Sequence, residues 1–350
     1  MLFIDKYIEK ESLDLCSKYK NQKKVYLDLK YWILLRDENK LSNDLDRKLT
    51  TKLNELLATN KCIFPISEIT FIEIMKQGDK DRRNQMLSVV DRFSRGLGIT
   101  NEEDRVKKEF RYWLQSKQSI TTIKPVSQLI WGNNCLITGY HGYCVMGKNL
   151  SQNLQKDFYD FVSSLSLHNI CANPTPTFEP FRGKDDVIAL NKGKEDFKHE
   201  NNTFDEMFLS ELGGLLDCYK PTFDRVSFEL SEIDQEKKGE HIQNQNITIE
   251  PWAGLIYQCF KLNKIANELP FFRIFPTLFS LMRWNKGRKY KDGNDTLDVK
   301  HATCALPYCD YFFTENELKS MITQSQLDKA FDCIVESTPE RILDELNKIV

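Results

Sequence analysis

An α/β fold with a mainly parallel sheet is predicted from three features of this 350-residue chain. Short apolar runs that end at a carboxylate, KKVYLD and YFFTE, lie near the two ends. Helix-period segments alternate with them. From about 101 to 266 the texture changes to helical segments separated by polar loops. The simplest architecture is one α/β domain made of residues 1–100 and 267–350, interrupted by a large, mostly helical insertion over 101–266.

Each element has its own signal. Lys23 to Asp28 is a continuous apolar run ending in Asp, as a buried parallel strand often does. Tyr31 to Arg36 turns helical, and the apolar positions of Leu45 to Leu57 recur at a helical period. Lys61 to Pro65 (KCIFP) is the next strand. Ser67 opens a helix through Met75, and a charged helix covers Asp79 to Phe93. Helices are predicted over Glu102 to Leu114, Gln155 to His168 and Thr203 to Leu216. The polar stretches Asn173 to Glu179 and Ser231 to Asn246 read as loops. After Pro270 come a helix to about Trp284, a basic turn, a helix over Asp295 to Leu306 and a strand over Tyr311 to Thr314. A helix from Glu315, a strand over Asp332 to Val335 and a final helix from Pro339 complete the chain.

Composition excludes several classes. With 49 Lys plus Arg against 51 Asp plus Glu the formal net charge is −2, which rules out a polyelectrolyte-type binder but not a local basic groove. The amino terminus has no apolar core followed by a small-residue cleavage site, so no secretory signal is predicted. The most apolar stretch, Phe271 to Trp284, is broken by Arg273, Pro276 and Arg283 and is too short for a membrane span. The ten cysteines contain no CxxC pair, which removes zinc-ribbon and thioredoxin readings. They read as small core residues in a reducing cytosol, so a cytoplasmic location without membrane contact is expected. There is no Walker loop, no GxGxxG after a strand and no HExxH.

The chemistry is sought at strand ends, because ligands of open parallel sheets sit beyond the carboxyl ends of the strands. Asp28 ends the first strand, as a site carboxylate or as the N-cap of the following helix. Glu73 lies beside the apolar stripe of SEITFIEIMK, whose start is capped by Ser67 and Glu68, and reads as a site residue or a solvated helix carboxylate. In GNDTLDVKHATCA, Asp295, Asp298 and His301 are spaced by three and neighbour one another along one helical side. Asp292, Asp295 and Asp298 either repel around a cation or merely suit a helix N-terminus. Glu315 follows the Tyr311 to Thr314 strand, as a site residue or an exposed first-turn glutamate. Convergence of Asp28, Glu73, Asp298 and Glu315 at one sheet edge would suit Mg²⁺ or Mn²⁺, and such a cation points to phosphate-ester hydrolysis.

Between Phe271 and Lys291 the chain carries Arg273, Arg283, Lys286, Arg288, Lys289 and Lys291 and no acidic residue. This basic segment, running straight into the acidic cluster, reads as a phosphate-backbone rim with Arg283, Lys286, Arg288 and Lys289 as contacts, or as a solvated helix end. Trp284 and Tyr290 within it could stack on bases or belong to the core.

VYLDLKYWI, ISEITFIEI, DVKHATCA and YFFTEN, in this order, resemble the strand-end and helix motifs of PIN-like nuclease domains, a bacterial subgroup in particular. The resemblance covers about 180 residues at the two ends and none of 101–266. It implies a PIN-like α/β/α sandwich, metal ligation by Asp28, Glu73, Asp298 and Glu315, RNA as substrate and a 5′-phosphate product. The family's usual Asp is replaced by Glu at 315. In this reading Asp295 orients the ligands or joins the metal site, His301 stands behind them, and the protein is a Mg²⁺- or Mn²⁺-dependent endoribonuclease. Two alternatives remain open: a non-catalytic PIN-like RNA- or protein-binding module whose helical insertion binds a protein partner or a second copy, and a nuclease directed at DNA.

Overall fold

The computed structural model describes residues 3–117, 123–138, 151–172, 183–197, 199, 202–238, 252–265, 267–290 and 294–349. The first stretch runs α1 (Phe3–Lys18), β1 (Lys23–Leu27), α2 (Leu29–Arg36), α3 (Asp44–Ala58), β2 (Cys62–Ile63), α4 (Glu68–Met75), α5 (Lys80–Ser94) and β3 (Gly98–Ile99). Next come α6 (Glu102–Lys117), α7 (Val126–Leu129), β4 (Trp131–Gly132), α8 (Asn134–Thr138), α9 (Gln152–Ser163), α10 (Leu167–Ala172), α11 (Gly183–Asp196), α12 (Phe204–Lys238) and α13 (Trp252–Lys261). The last stretch is α14 (Pro270–Trp284), α15 (Asn294–Ala305), β5 (Tyr311–Phe313), α16 (Asn316–Gln324), α17 (Leu327–Ala330), β6 (Ile334–Glu336) and α18 (Pro339–Leu346).

The two ends of the chain build one parallel sheet, in the order β2-β1-β5-β6. Alternation along the strands divides its side chains between two cores. Tyr26, Ile63 and Phe312 pack with Leu278 of α14, Val299 and Ala302 of α15 and Ile322 of α16. Val25, Leu27, Tyr311 and Phe313 pack on the opposite face with Trp32 of α2, Leu53 of α3, Val90 of α5 and Ile342 of α18. Both faces of the central strands are therefore covered, which is why their sequence reads as an unbroken apolar run. β3 and β4 form a separate antiparallel pair, bridged through Gly98 to Ile66 in the segment that follows β2. No helix among the described residues is long and apolar enough to cross a membrane.

The elements expected from the sequence are present in order, β3, β4, α7, α8, α11, α13 and α17 are additional to them, and three further differences follow. The amino terminus, for which the sequence predicts no element, forms α1, whose Ile4 joins a small core with Leu136 and Tyr159. The single helix expected over Gln155 to His168 is two helices, because the Asp91 carboxylate accepts the Leu167 and His168 N–H groups at 2.8 and 3.1 Å and starts α10 afresh. α12 runs on through Pro221 to Lys238, past Leu216 and into the stretch expected to be a loop. Leu212, Leu216, Phe223 and Val226 form its buried face against Phe110 of α6 and Phe271 and Phe272 of α14, and that burial outweighs the missing proline N–H. Residues 173–179 and 239–246 of the other expected loops lie outside the described residues.

A buried polar network joins α6 to α14 and α15. Arg105, 1% exposed, donates to Cys304 Sγ at 2.9 Å and to Thr303 Oγ1 at 3.0 Å. Glu109, fully buried, lies 4.0 Å from the Arg105 guanidinium and accepts from Tyr308 Oη at 2.6 Å and Phe271 N at 3.0 Å. Glu109→Ala strips all three groups of a partner, and removing one member of a buried charged pair costs about 3–5 kcal/mol. A urea titration should show that loss as a lower midpoint at unchanged slope; a loss below about 1 kcal/mol would contradict the role given to this network.

Candidate metal centre

The parallel register Leu27↔Phe313 sets the residues after β1 and β5 side by side at the carboxyl edge of the sheet. Asp28 is 6% exposed there. Its Oδ1 accepts the Leu29 N–H at 2.6 Å, which starts α2, and its Oδ2 accepts the Thr314 hydroxyl at 2.8 Å. The capping and site readings of Asp28 are thus compatible, since one carboxylate oxygen serves each neighbour and lone pairs remain.

Two helices converge on this carboxylate. α4 starts at Ser67, whose hydroxyl accepts the Thr70 N–H at 3.4 Å, and Glu73 follows in its second turn. α15 brings His301, completely buried, to 3.0 Å between Nε2 and Glu73 Oε2. The other ring nitrogen, Nδ1, lies 2.7 Å from Tyr26 Oη. Tyr26 Oη in turn lies 2.5 Å from Ser67 Oγ and 3.2 Å from Thr70 Oγ1. One ligand atom each from Asp28, Glu73 and His301 all lie within 4.8 Å of one another.

Asp298 sits one turn before His301 on α15. Burial, then the charge of Asp28, with Glu73 and Glu315 adding to them and His301 opposing, push its carboxyl up to about 8. That set of neighbours places Asp298 beside the same trio. Glu315 is exposed at the start of α16 and makes no side-chain cap there. For His301, burial by itself would favour the neutral ring; Glu73, through charge and hydrogen bond, then Asp28 and Asp298 outweigh it and raise the imidazole to about 9. A carboxyl that retains its proton beside an imidazole that gains one is the response expected where negative charges crowd a buried site.

Asp295 is directed elsewhere. It accepts from Arg288 at 2.5 Å, and Arg288 also pairs with Glu317 at 2.9 Å. Arg283 is paired with Glu211. Of the four expected phosphate contacts, Lys286 and Lys289 are the exposed ones. Trp284 is 43% exposed and meets Phe204 edge-on, whereas Tyr290 is 5% exposed, its N–H held by Asn191 Oδ1 at 3.0 Å, so it is not placed to stack on a base. Lys291 and Asp292 lie outside the described residues. Tyr26 and Thr314 carry no local motif that marks them as site residues, although period-2 alternation in VYLD already puts Tyr26 on the face of Asp28 and a buried tyrosine hydroxyl needs a partner.

A half-buried set of carboxylates with one imidazole fits a divalent cation: its charge offsets their repulsion, and oxygen and nitrogen are both ordinary donors to such ions. A separate cleft of about 550 Å³ is lined by Glu68, Glu102, Glu103 and Asp104 against Arg225 and Lys300, an acidic balance that suits phosphate poorly. No family model, curated protein or solved structure matches the chain.

Both raised groups hold protons in the folded chain that the unfolded chain has released. His301 stabilises fully below its unfolded value of about 6.5 and ceases to as pH rises through about 9; Asp298 works in the same direction between about 3.8 and 8. The melting temperature of cation-free protein should fall from pH 6.5 to 9, and His301→Gln should flatten that fall; a rise would contradict the cluster. Cation binding displaces these protons. Calorimetry with Mn²⁺ at pH 7 in two buffers of different ionisation enthalpy should show net proton release.

Proposed function

We propose that this protein is a divalent-metal-dependent phosphodiesterase of PIN-like fold that cleaves RNA internally, residues 101–266 being an insertion into that fold. The observation that carries the reading is the convergence of Asp28, Glu73 and His301 within 4.8 Å, with Asp298 beside them, at the carboxyl edge of a parallel sheet. The order of the motifs supports the family assignment, and with it RNA as substrate.

Asp28, Glu73 and His301 would hold the cation, joined by Asp298; Glu315 lies at the solvent side of the group. When bound, a divalent ion supplies charge against a phosphoryl oxygen and lowers the pKa of a water. The chain does the positioning. Leu29 N–H and the Thr314 hydroxyl hold Asp28 from two directions, so its remaining lone pairs face α4 and α15. Tyr26 holds the ring of His301 at Nδ1, which presents Nε2 to Glu73. Arg288 anchors Asp295, and so the start of α15, to α16. Lys286 and Lys289, exposed in the turn before α15, offer charge to a phosphate backbone without a rigid fork. A purely non-catalytic module is the weaker reading, because half-buried like charges lower stability and contribute nothing to a docking surface.

Asp28→Asn and Asp298→Asn should each lower cleavage of a single-stranded RNA by about 100-fold or more, with thermal unfolding still cooperative. Chelation should abolish cleavage and Mn²⁺ restore it. Full activity of purified Asp298→Asn protein would overturn the reading; cleavage of DNA but not RNA would overturn the substrate class. Replacing Lys286 and Lys289 together by Ala should weaken RNA binding at low salt and reduce the slope of log K against log salt by about 0.7 for each phosphate that is no longer neutralised.

A further inference from the structure

The same site carries information about which cation it takes. An oxygen-only cluster accepts Mg²⁺ readily, whereas an imidazole nitrogen shifts preference toward first-row transition ions. Two ligands at right angles on one ion, each about 2.1 Å from it, are about 3.0 Å apart. His301 Nε2 and Glu73 Oε2 are 3.0 Å apart, so their separation suits adjacent ligands of one ion as well as a hydrogen bond. The trio's 4.8 Å envelope is near the roughly 4.3 Å limit for three donors on one ion, a gap that small side-chain rotations close.

The other side of the ring decides whether Nε2 has a lone pair to give. Nδ1 faces Tyr26 Oη at 2.7 Å, and that hydroxyl lies 2.5 Å from Ser67 Oγ. A relay in which Nδ1–H donates to Tyr26 and Tyr26 O–H donates to Ser67 gives both hydrogens an acceptor and leaves Nε2 unprotonated toward the carboxylates. Metal-bound histidines are commonly oriented in this way, through a partner for the second nitrogen. All these groups are buried: Tyr26 and His301 are fully inaccessible and Ser67 is 1% exposed. Their arrangement is therefore set by the fold rather than by solvent.

We propose that His301 Nε2 is itself a ligand, held in the required tautomer by Tyr26 and Ser67, and that the site consequently selects Mn²⁺ over Mg²⁺. This rests on the metal-dependent reading above, but its test does not use cleavage. Pulsed electron paramagnetic resonance of the Mn²⁺-loaded full-length protein should show nitrogen coupling from one imidazole. His301→Gln should remove that coupling and bring Mn²⁺ and Mg²⁺ affinities to within a few fold, against at least a tenfold preference for Mn²⁺ in the unaltered chain. Tyr26→Phe, which keeps the ring in the core, should weaken Mn²⁺ binding by about 10–100-fold. Mn²⁺ bound without nitrogen coupling overturns the proposal while leaving a metal-dependent nuclease intact. Nitrogen coupling without RNA cleavage upholds the ligand and overturns the nuclease. Absence of Mn²⁺ binding overturns both. The spectrum of the unaltered protein decides the ligand question even if a variant fails to fold.

Discussion

Bringing Asp28, Glu73 and Asp298 to one edge of a sheet sets three carboxyls against one another where water screens them poorly, and much of the surrounding structure answers that cost. Coulomb repulsion between charges a few ångströms apart is weak in water and several-fold larger at a half-buried site. Each carboxylate has its own counterweight. Asp28 is held by a backbone N–H and the Thr314 hydroxyl, Glu73 by the His301 ring, and Asp298 by retaining its proton. Such an arrangement lowers stability unless a cation completes it, and groups displaced from their ordinary ionisation in this way are typical of functional sites.

The sheet positions these groups, and its two cores keep it rigid. Tyr26 links both tasks: its ring packs edge-on against Phe312 in the core, while its hydroxyl meets His301. Tyr31 does similar work on the opposite face, donating to the Thr314 and Ser337 carbonyls and so tying the ends of β5 and β6. The helices of the central part of the chain reach the site indirectly. α15 carries His301 toward the carboxylates and Thr303 and Cys304 toward Arg105 of α6, so its rotation about its own axis is fixed from both sides. Glu102 of α6 adds a link, accepting from Lys300 at 3.1 Å, while its N–H donates to Glu68 of α4 at 3.2 Å. α6 therefore bridges the two helices that supply Glu73 and His301.

Local signals account for what is legible in the chain. Strands whose two faces are both covered read as continuous apolar runs, which locates β1, β2 and β5 to within a residue or two. N-caps such as Ser67 and Asp79 locate helix starts, because the cap acts on N–H groups two or three residues away. Where the deciding partner is distant, local pattern fails: the break before α10 depends on Asp91, some 76 residues earlier, and the length of α12 depends on the aromatic face of α6 and α14. The basic segment shows the same limit. Six cations in one segment suggest a rim, but Arg283 and Arg288 are committed to Glu211, Asp295 and Glu317, partners that pattern within the segment does not identify.

The sequence by itself determined the α/β order, the apolar strands and the acidic residues that follow them, since these depend on periodicity, capping and burial within a few residues. Only the tertiary structure decided that Asp295 turns away to Arg288, that His301 faces Asp28 and Glu73, and that Tyr26 stands behind it. Those outcomes depend on the parallel register of β1 with β5 and on the rotation of α15 between α4 and α6. Both are set by contacts across more than a hundred residues of chain, whose energies appear only once the elements have packed.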